Sequence, residues 1–380
     1  MIELTAQQLE LQRAAEKFAR EHLGASLAER DRDERLDRRG WTRCAEFGLM
    51  RMPVPEALGG LGLGLTELIA VMEGLGYGTA DHGLLFAIHA HMWTIVMPIL
   101  TLGTDDQRVR YLPRLICGEW IGANGASEPD AGSDIFSMRT RAVRDGNCYV
   151  LNGTKTFVTN ALDADLFVVY ATVDRSLGPT GITAFVIEKG TPGFAVGRPL
   201  QKMGMRTSSM AEIVLEDCRV EAANRLGREG RGAAVFDSSM EWERGCILAG
   251  SLGAMRRHLE ACVSHAKGRK QFGQAIGKFQ SVANRIVDMK VRLDTCRPLV
   301  YRIGHLKDRG QSARTESAIA KLYVSESFIT SALDAMRVFG SYGYMTEQGL
   351  ERELRDAIGG IFYSGTSDIQ RNIIAKGLGL

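Results

Sequence analysis

The sequence has little excess charge of either sign. Its 47 Lys and Arg residues are nearly balanced by 45 Asp and Glu, which leaves a formal charge of +2 over 380 residues. Such a chain has no general electrostatic attraction to nucleic acid or to an anionic membrane. Neither is therefore an expected partner, and the composition leaves room only for a local basic groove.

A secretion signal, a membrane span and paired cysteines are also missing. The first 23 residues are charged and helix-patterned, unlike the apolar core of a secretory signal. The most apolar stretch, residues 84–100, is interrupted by His89 and His91 and predicts a buried helix rather than a membrane-spanning one. The seven cysteines show no CxxC spacing, so reduced thiols in a cytoplasmic protein are the simpler interpretation.

Several common catalytic and binding motifs are absent. The chain has no Walker loop, no G-x-S-x-G elbow and no zinc-ligand spacing. The glycines of residues 59–64 do not fit G-x-G-x-x-G and no βαβ unit surrounds them, which favours a turn between helices. His89 and His91 stand two apart, and that spacing points them to different faces of a helix. No metal is therefore expected.

Three zones of different pattern divide the sequence. Apolar residues recur at helical spacing from about residue 5 to 114 and again from about 235 to the end. Between about 118 and 232, short β-branched and aromatic segments bounded by turn residues indicate strands, as at 148–151, 166–171 and 182–188. We predict an α+β protein with an N-terminal helical domain (1–117), a central β-domain (118–233) and a C-terminal helical bundle (234–380).

Five segments, in order along the chain, resemble the acyl-CoA dehydrogenases. Residues 118–134, GEWIGANGASEPDAGSD, resemble the first signature of that family, and residues 340–344 with Glu347, Arg352 and Asp356 resemble the second. The others are LNGTKTFVTN (151–160), RKQFGQAIGKFQ (269–280) and GTSDIQR (365–371). The resemblance implies a helical domain, a β-domain and a four-helix bundle, with FAD in the cleft between the last two. It also implies a homo-oligomer, a dimer or tetramer, in which a neighbouring subunit completes the cofactor site.

The resemblance also assigns cofactor-binding positions. Ser127 and Thr159 match hydroxyl partners of the flavin ring, and Phe157 stands where relatives usually have a stacked Trp. Arg269 matches an arginine that contacts the diphosphate of a second subunit's FAD. Arg337 replaces a usual Gln, so this cation would either bind phosphate or pair locally. The alternative is that the Ser and Thr residues only cap turns. The complete set of implied cofactor positions is Ala126, Ser127, Ser133, Phe157, Thr159, Arg269, Phe272, Gln280, Arg337, Gly340, Thr366 and Asp368.

The catalytic base of many relatives is missing from its usual place. A Glu usually precedes the Gly-Thr of the last motif, but here the position is Ser364, and a hydroxyl is too weak a base. Isovaleryl-CoA dehydrogenases and some other relatives carry the base on a bundle helix, before an Arg, which matches Glu243 and Arg244. Glu241 is the rival carboxylate, but two residues away it should face another direction. The plainer alternative is that Glu243 is a solvated helix acid.

These residues predict a thioester dehydrogenase. Glu243 would take the α-proton, while the main-chain N–H of Ser364 would hold the thioester oxygen. Apolar neighbours, Trp242, Ile247 and Leu248, should raise the pKa of Glu243. The subgroup most similar in these features oxidises L-prolyl groups on a carrier protein, towards pyrrole-2-carboxyl. A short- or branched-chain acyl-CoA dehydrogenase and a non-catalytic flavin-binding scaffold are the alternatives. Residues 84–93 are expected to border the acyl cavity, and the electron acceptor stays undetermined.

Overall fold

The fold is taken from a computed structural model that describes residues 4–380. Its N-terminal part is helical, and four of its helices begin after a side-chain cap, at Thr5, Asp37, Asp81 and Thr104. At the first helix, Thr5 Oγ1 accepts a hydrogen bond from the Gln8 N–H, and the Gln8 side chain accepts one from the Thr5 N–H. The helices are α1 (Ala6–His22), α2 (Leu27–Arg32), α3 (Arg38–Glu46), α4 (Leu65–Gly78), α5 (His82–His91), α6 (Met97–Leu102) and α7 (Asp105–Ile116).

The most apolar part of the chain forms one interrupted helix inside the protein. A π-helical turn, Met92–Val96, joins α5 to α6, so the whole run spans His82–Leu102. It is long and apolar enough to cross a membrane, yet 94% of its most apolar window is buried within the fold. The prediction of a buried core helix for this region is confirmed.

Two histidines of this helix serve the packing of the core. His91 Nδ1 accepts a hydrogen bond from the Gly122 N–H, and its Nε2 lies 3.1 Å from the Leu115 carbonyl oxygen. His89 Nδ1 accepts a hydrogen bond from the Trp93 indole N–H. Burial lowers the pKa of both rings, to about 4 for His91 and about 3 for His89. The described residues include no cluster of three or more metal-ligating side chains.

The central part of the chain is a mixed sheet in the order β6-β7-β3-β2-β4-β5-β8, with β1 added beside β4. The three segments predicted as strands are confirmed as parts of β3, β4 and β5. A shift in the pairing of β3 with β7 lies between Lys155 and Val158. The strands are β1 (Gly122–Gly125), β2 (Arg141–Asp145), β3 (Cys148–Thr159), β4 (Leu166–Thr172), β5 (Ile182–Glu188), β6 (Phe194–Pro199), β7 (Met210–Glu221) and β8 (Arg225–Leu226).

The C-terminal part is a helical bundle that packs closely on the N-terminal helices. A Cβ atom on Gly253 would lie 2.0 Å from the Glu73 carbonyl oxygen, so glycine lets α9 approach the backbone of α4. A short hairpin of β9 (Lys270–Gln271) and β10 (Gln274–Ala275) joins α9 to α10. The helices are α8 (Gly232–Cys246), α9 (Ala249–Gly268), α10 (Gln280–Asp308), α11 (Arg314–Phe339), α12 (Ser341–Tyr344), α13 (Leu350–Gly359) and α14 (Ser367–Gly377).

Apart from the short β9–β10 hairpin and single helical turns, the described residues 4–380 change twice between helix and strand. Helix gives way to strand between Ile116 and Gly122, and strand gives way to helix between Leu226 and Gly232. The predicted α+β architecture of helices, sheet and helices is therefore confirmed. The domain limits at 118 and 234 stay a prediction.

Candidate active site

A carboxylate and a hydroxyl meet between two elements of the bundle. Glu243 lies near the end of α8, and only 6% of its surface is exposed. Its Oε1 accepts a 2.8 Å hydrogen bond from the hydroxyl of Ser364, which lies in the turn between α13 and α14. Ser364 stands where the sequence predicts that the base was lost, and Glu243 stands where it predicts that the base was gained. The structure places these two side chains in direct contact.

The turn that carries Ser364 has a left-handed backbone. Ser364 has a φ of 55° and Gly365 a φ of 86°. Arg244 Nε donates to the Ser364 carbonyl oxygen at 2.9 Å, and Lys321 Nζ donates to the Gly365 carbonyl oxygen at 2.7 Å. The Gln370 side chain donates to both carbonyls, at 3.2 and 2.8 Å. The Ser364 main-chain N–H forms none of the hydrogen bonds found within residues 4–380. A fixed main-chain donor is therefore available to a ligand.

The environment of Glu243 shifts its proton affinity. Burial raises its pKa to about 7, against the opposing effects of the Ser364 hydroxyl, Arg244 and Lys321. The raised pKa predicted from apolar neighbours is confirmed in direction. At neutral pH the carboxyl group has both protonation states within reach, as a proton acceptor in catalysis requires.

The rival carboxylate faces away from this turn. Glu241 accepts hydrogen bonds from Lys307 Nζ at 3.0 Å and from the Ala313 N–H at 2.9 Å. As helical spacing predicts, its side chain leaves α8 in another direction and ends in an ion pair.

Aromatic rings from the N-terminal domain pack around the Glu243–Ser364 pair. The Trp93 ring stacks on Trp242, the neighbour of Glu243, with centroids 6.1 Å apart and planes 7° apart. The Phe86 ring packs at 4.8 Å on Tyr363, the neighbour of Ser364. The region 84–93 therefore packs against the sequence neighbours of both catalytic candidates; its place at the border of an acyl cavity stays a prediction.

A second group of predicted residues lies at one end of the β-domain. The fully buried Lys155 extends its Nζ to the Ala126 carbonyl oxygen at 3.2 Å and to Glu128 Oε1 at 2.7 Å. The Thr156 N–H donates to the Ser127 carbonyl oxygen at 2.9 Å. The loop after β1 is therefore fixed beside β3. Ser133, further along this loop, is exposed.

The irregular end of β3 presents an aromatic ring outward. Phe157 lies within the register shift, has a φ of 57° and is 65% exposed. Positive φ is strained for a bulky residue, and such strain is concentrated at functional sites. Thr159, two residues on, is half-buried. The next residue, Asn160, donates from its side chain to the Ala87 carbonyl oxygen at 2.9 Å, which brings this strand end to α5.

These residues fit a flat heteroaromatic ring with a polar edge. The hydroxyls of Ser127 and Thr159 form none of the side-chain hydrogen bonds found in residues 4–380, and the Ser209 hydroxyl is buried without a partner. The Ser209 carbonyl oxygen accepts from the Asn160 N–H at 2.8 Å, so this hydroxyl belongs to the same strand end. Unpaired hydroxyls beside an exposed ring are the donor set that an isoalloxazine needs.

Other predicted cofactor residues lie far from Glu243 within one chain. Helix α9 has 20 residues, so Arg269 at its end lies roughly 30 Å along the helix from its start near Glu243. Arg269 and Gln280 are exposed, and the Phe272 ring, with a φ of 51°, is 93% exposed. Arg337 pairs locally with Asp334 at 3.3 Å. Within one chain, the structure does not bring these four residues to the Glu243–Ser364 pair or to the residues at the end of the β-domain.

Three further predicted positions lie at helix ends. Gly340 has a φ of 62° and ends α11. Thr366 Oγ1 accepts a hydrogen bond from the Ile369 N–H at 3.2 Å, so this hydroxyl caps α14. Asp368 is exposed and pairs with Arg371 at 3.2 Å. For Thr366, the capping role that the sequence left open as an alternative is present.

Sequence reasoning missed the lysine that holds the turn. Lys321 is fully buried in α11, although lysine is almost never buried without a partner. Its neighbours at helical spacing, Ala318 and Val324, are fully buried as well. A lysine among small and apolar residues at helical spacing, with Ser317 and Ser325 one turn away, is the available signal.

Sequence models of three domains of one family match the chain in order. The acyl-CoA dehydrogenase N-terminal domain matches residues 5–119, the middle domain 123–218 and the C-terminal domain 230–379. The chain belongs to the acyl-CoA dehydrogenase family. The family resemblance predicted from five segments is therefore confirmed.

Relatives within the acyl-CoA dehydrogenase family cover almost the whole chain. The L-prolyl-[peptidyl-carrier protein] dehydrogenase of Serratia sp. is 41% identical over 99% of this chain and 98% of its own. The mitochondrial isovaleryl-CoA dehydrogenase of Pongo abelii is 38% identical over 98% of this chain and 89% of its own.

Solved structures of the family share the complete fold. The prolyl acyl carrier protein oxidase AnaB has a TM-score of 0.98 and 49% identity, with all of both chains covered. PigA with FAD and proline has a TM-score of 0.97 and 41% identity, covering 100% of this chain and 99% of that one. The predicted acyl-CoA dehydrogenase fold is confirmed.

Proposed function

We propose that this chain is an FAD-dependent dehydrogenase of an aminoacyl thioester, with Glu243 as its base. One observation carries the proposal: a buried carboxylate on α8, with its pKa raised to about 7, is hydrogen-bonded to Ser364, whose main-chain N–H has no partner among residues 4–380. A base and an oxyanion donor on adjacent elements are the two groups that α-proton removal from a thioester needs.

The β-domain end supplies residues suited to FAD. Ser127 and Thr159 would face the polar edge of the ring, and Phe157 would stack beside it, with Ala126 and Ser133 in the same loop. When bound, FAD supplies the acceptor for the hydride that leaves the substrate. The PigA structure with FAD, 41% identical to this chain, supports the choice of cofactor.

The chain's own residues handle the proton and the carbonyl oxygen. The Ser364 N–H donates to the thioester oxygen, where negative charge develops as the α-proton leaves. The Glu243 carboxylate takes that proton, and the Ser364 hydroxyl keeps the accepting oxygen in place. Only 6% of the Glu243 surface is exposed, and this burial strengthens its electrostatic interactions with the groups around it.

The favoured substrate is an L-prolyl group on a carrier protein. Two relatives of 41–42% identity carry the name L-prolyl-[peptidyl-carrier protein] dehydrogenase, and PigA has been solved with proline. In the first oxidation the α-proton goes to Glu243 and a hydride leaves a ring atom next to the α-carbon for the FAD acceptor, so that a double bond to the α-carbon forms. A second candidate, a branched-chain acyl-CoA dehydrogenase, is favoured by 38% identity to the Pongo abelii enzyme.

Flavin bleaching by defined thioesters tests the function. The purified protein with its bound FAD is mixed rapidly with L-prolyl-S-carrier protein, D-prolyl-S-carrier protein or isovaleryl-CoA, and absorbance near the flavin maximum is followed. Fast bleaching by the L-prolyl thioester alone is expected. Bleaching by isovaleryl-CoA alone would favour the second candidate. Bound FAD that none of the three reduces would contradict the proposal and favour a non-catalytic scaffold.

We also propose that the protein is a cytoplasmic homotetramer whose subunits complete each other's sites. Arg269, Phe272 and Gln280 are exposed at the far end of α9, and a cofactor held by a second copy would give them a ligand. Sedimentation with and without FAD measures the assembly. A stable monomer that retains FAD and activity would contradict this arrangement.

A further inference from the structure

The main-chain carbonyl groups of Ser364 and Gly365 accept hydrogen bonds from cationic side chains on two different helices. Arg244 on α8 donates to the Ser364 carbonyl oxygen at 2.9 Å, and Lys321 on α11 donates to the Gly365 carbonyl oxygen at 2.7 Å. A non-glycine residue persists in the left-handed conformation only where its surroundings hold it there. At Ser364 the two cations share this restraint with the Gln370 side chain, which donates to the same two carbonyl oxygens.

We propose that Lys321 is a positioning residue, which fixes the turn so that the Ser364 N–H points at the thioester oxygen and which stabilises the Glu243 carboxylate by its charge. This inference rests on the proposed function of the same site. Arg244 directly follows Glu243 in the sequence, so the two residues share a helix. Lys321 lies on a separate helix, and its hydrogen bond links the turn to α11.

The burial of Lys321 supports a specific role. Its side chain is fully buried, and its ammonium lies 5.7 Å from the centroid of the Tyr363 ring. Burial and the nearby Arg244 lower its pKa to about 7, while Glu243 and Glu326 act to raise it. Keeping a lysine here is costly, and a structural tie to one carbonyl could be made by a neutral donor. A charge near the base explains why a cation is used.

The groups that face Glu243 define the expected pH effect. They are Arg244 and Cys246 on its own helix, Lys321 from α11, the Ser364 hydroxyl and Tyr363 from the turn, and Tyr170 from β4. A positive neighbour favours the carboxylate and so lowers its pKa. Removing the Lys321 charge should therefore raise the pKa of Glu243, and the rate of flavin reduction should need a higher pH.

Two variants separate the two effects of Lys321. K321M removes the donor and the charge, whereas K321Q keeps a donor without the charge. For K321M we expect reduction at saturating substrate to fall by about ten- to hundredfold, with little change in substrate Kd, because the oxyanion donor is misdirected. For both variants the midpoint of the pH–rate profile should move upward. K321R, which keeps a positive charge at every pH tested, should not move the midpoint upward.

Lys202 provides a matched control. It is a second lysine with its pKa lowered by burial, to about 8, and its Nζ donates to the Met205 carbonyl oxygen at 2.8 Å and to Ser208 Oγ at 2.9 Å. Its charged neighbours are Asp356 and Glu34, not Glu243. K202M should therefore lower stability and leave the midpoint of the profile unchanged. A midpoint that moves equally in K202M and K321M would overturn the inference.

A crystal structure of K321M gives a readout that needs no substrate. We expect Ser364 to leave the left-handed conformation and its hydrogen bond to Glu243 to lengthen. An unchanged turn, or a wild-type rate and midpoint in a K321M enzyme that is reduced normally, would overturn the role of Lys321 alone. If the wild-type protein is reduced only by isovaleryl-CoA, the same comparison is made with that thioester, since the carbonyl contact is the same.

Discussion

The hydroxyl of Ser364 donates a 2.8 Å hydrogen bond to Glu243 Oε1, across 121 residues of sequence. Many members of this family have a carboxylate at the position of Ser364, so the side chain that replaces it contacts the carboxylate found on α8. The exchange leaves the main-chain N–H at that position unchanged. Proton acceptor and oxyanion donor can therefore come from two elements and still meet at one carbon atom.

Replacing Glu243 by glutamine should abolish most of the proton transfer. The amide keeps the size of the side chain and an oxygen that can accept from Ser364, but it cannot take a proton. We expect E243Q to retain FAD and to be reduced roughly 10²–10⁴-fold more slowly by its thioester, measured by stopped-flow absorbance. E241Q is the matched control, since Glu241 pairs with Lys307, and it should be reduced at nearly the wild-type rate. Equal rates for E243Q and wild type would exclude Glu243 as the base.

The raised pKa of Glu243 also predicts how stability depends on pH. Its pKa rises from an ordinary value near 4.5 to about 7, so the folded state binds this proton more tightly than the unfolded state. Wild-type stability should therefore fall as pH rises between about 4.5 and 7, by about 3 kcal/mol in all. The amide introduced in E243Q does not titrate. The gain in the free energy of unfolding of E243Q over wild type should therefore be absent at pH 4.5 and complete by pH 8.

Urea unfolding of both proteins at several pH values checks this linkage. E241Q should behave oppositely, because the Ala313 N–H and Lys307 outweigh burial and hold the pKa of Glu241 below its usual value. That variant should lose stability relative to wild type above pH 4.5. A difference between E243Q and wild type that is constant with pH would show that Glu243 titrates normally.

The Ser364 hydroxyl should tune the base without being essential. It lowers the pKa of Glu243 by donating to the carboxylate. S364A should therefore move the midpoint of the pH–rate profile above its wild-type value near 7, while the plateau at high pH stays within a few-fold because the main-chain N–H survives. A plateau that falls as far as that of E243Q would mean that the hydroxyl itself is required for turnover.

The order of helices and strands could be predicted from periodicity and turn residues. The alternation of helix, strand and helix patterns was enough for the α+β architecture, and β3, β4 and β5 all contain their predicted segments. The fine geometry could not be obtained in this way. The positive φ of Phe157 depends on a register shift against β7, and pairing between strands 50 residues apart leaves no local pattern.

Those features of the site that depend on residue type could be predicted from the sequence. Those that depend on how the helices pack could not. Glu243 and Ser364 were paired because one position lost a carboxylate and the other gained one. Lys321 was missed because its function depends on a carbonyl 44 residues away, which only the folded bundle brings within 2.7 Å. Arg269 and Phe272 remain predictions, because one chain alone gives them no cofactor contact.

Phe157 should contribute to FAD retention through its ring. The side chain is 65% exposed beside the unpaired hydroxyls of the β-domain end, so FAD would cover apolar surface there. F157A should weaken FAD binding by about tenfold, and F157W should bind at least as tightly as wild type. Flavin fluorescence during dilution measures the dissociation constant. V143A removes a similarly exposed side chain from β2 and should bind FAD normally. Normal binding by F157A would place the flavin elsewhere.

The buried pair of Lys155 and Glu128 should hold the loop that carries Ala126 and Ser127. Glu128 Oε1 lies 2.7 Å from Lys155 Nζ, and the Glu128 carboxylate also accepts from the Arg139 and Thr140 N–H groups. Removing one charge of a buried pair leaves the other uncompensated and typically costs about 3–5 kcal/mol. E128Q should therefore lower the unfolding temperature and weaken FAD binding, because the loop and its hydroxyl lose their anchor.

The double variant E128Q/K155M separates charge from loop geometry. It removes the stranded ammonium, so it should recover part of the stability lost in E128Q. It should not recover FAD binding, because K155M also removes the Lys155 ammonium that donates to the Ala126 carbonyl oxygen. D145N, which breaks an exposed pair with Arg219, serves as the surface control and should change neither property. If E128Q unfolds at the same temperature as D145N, the buried pair does not hold this loop, and the affinity for FAD must come from the strand residues alone.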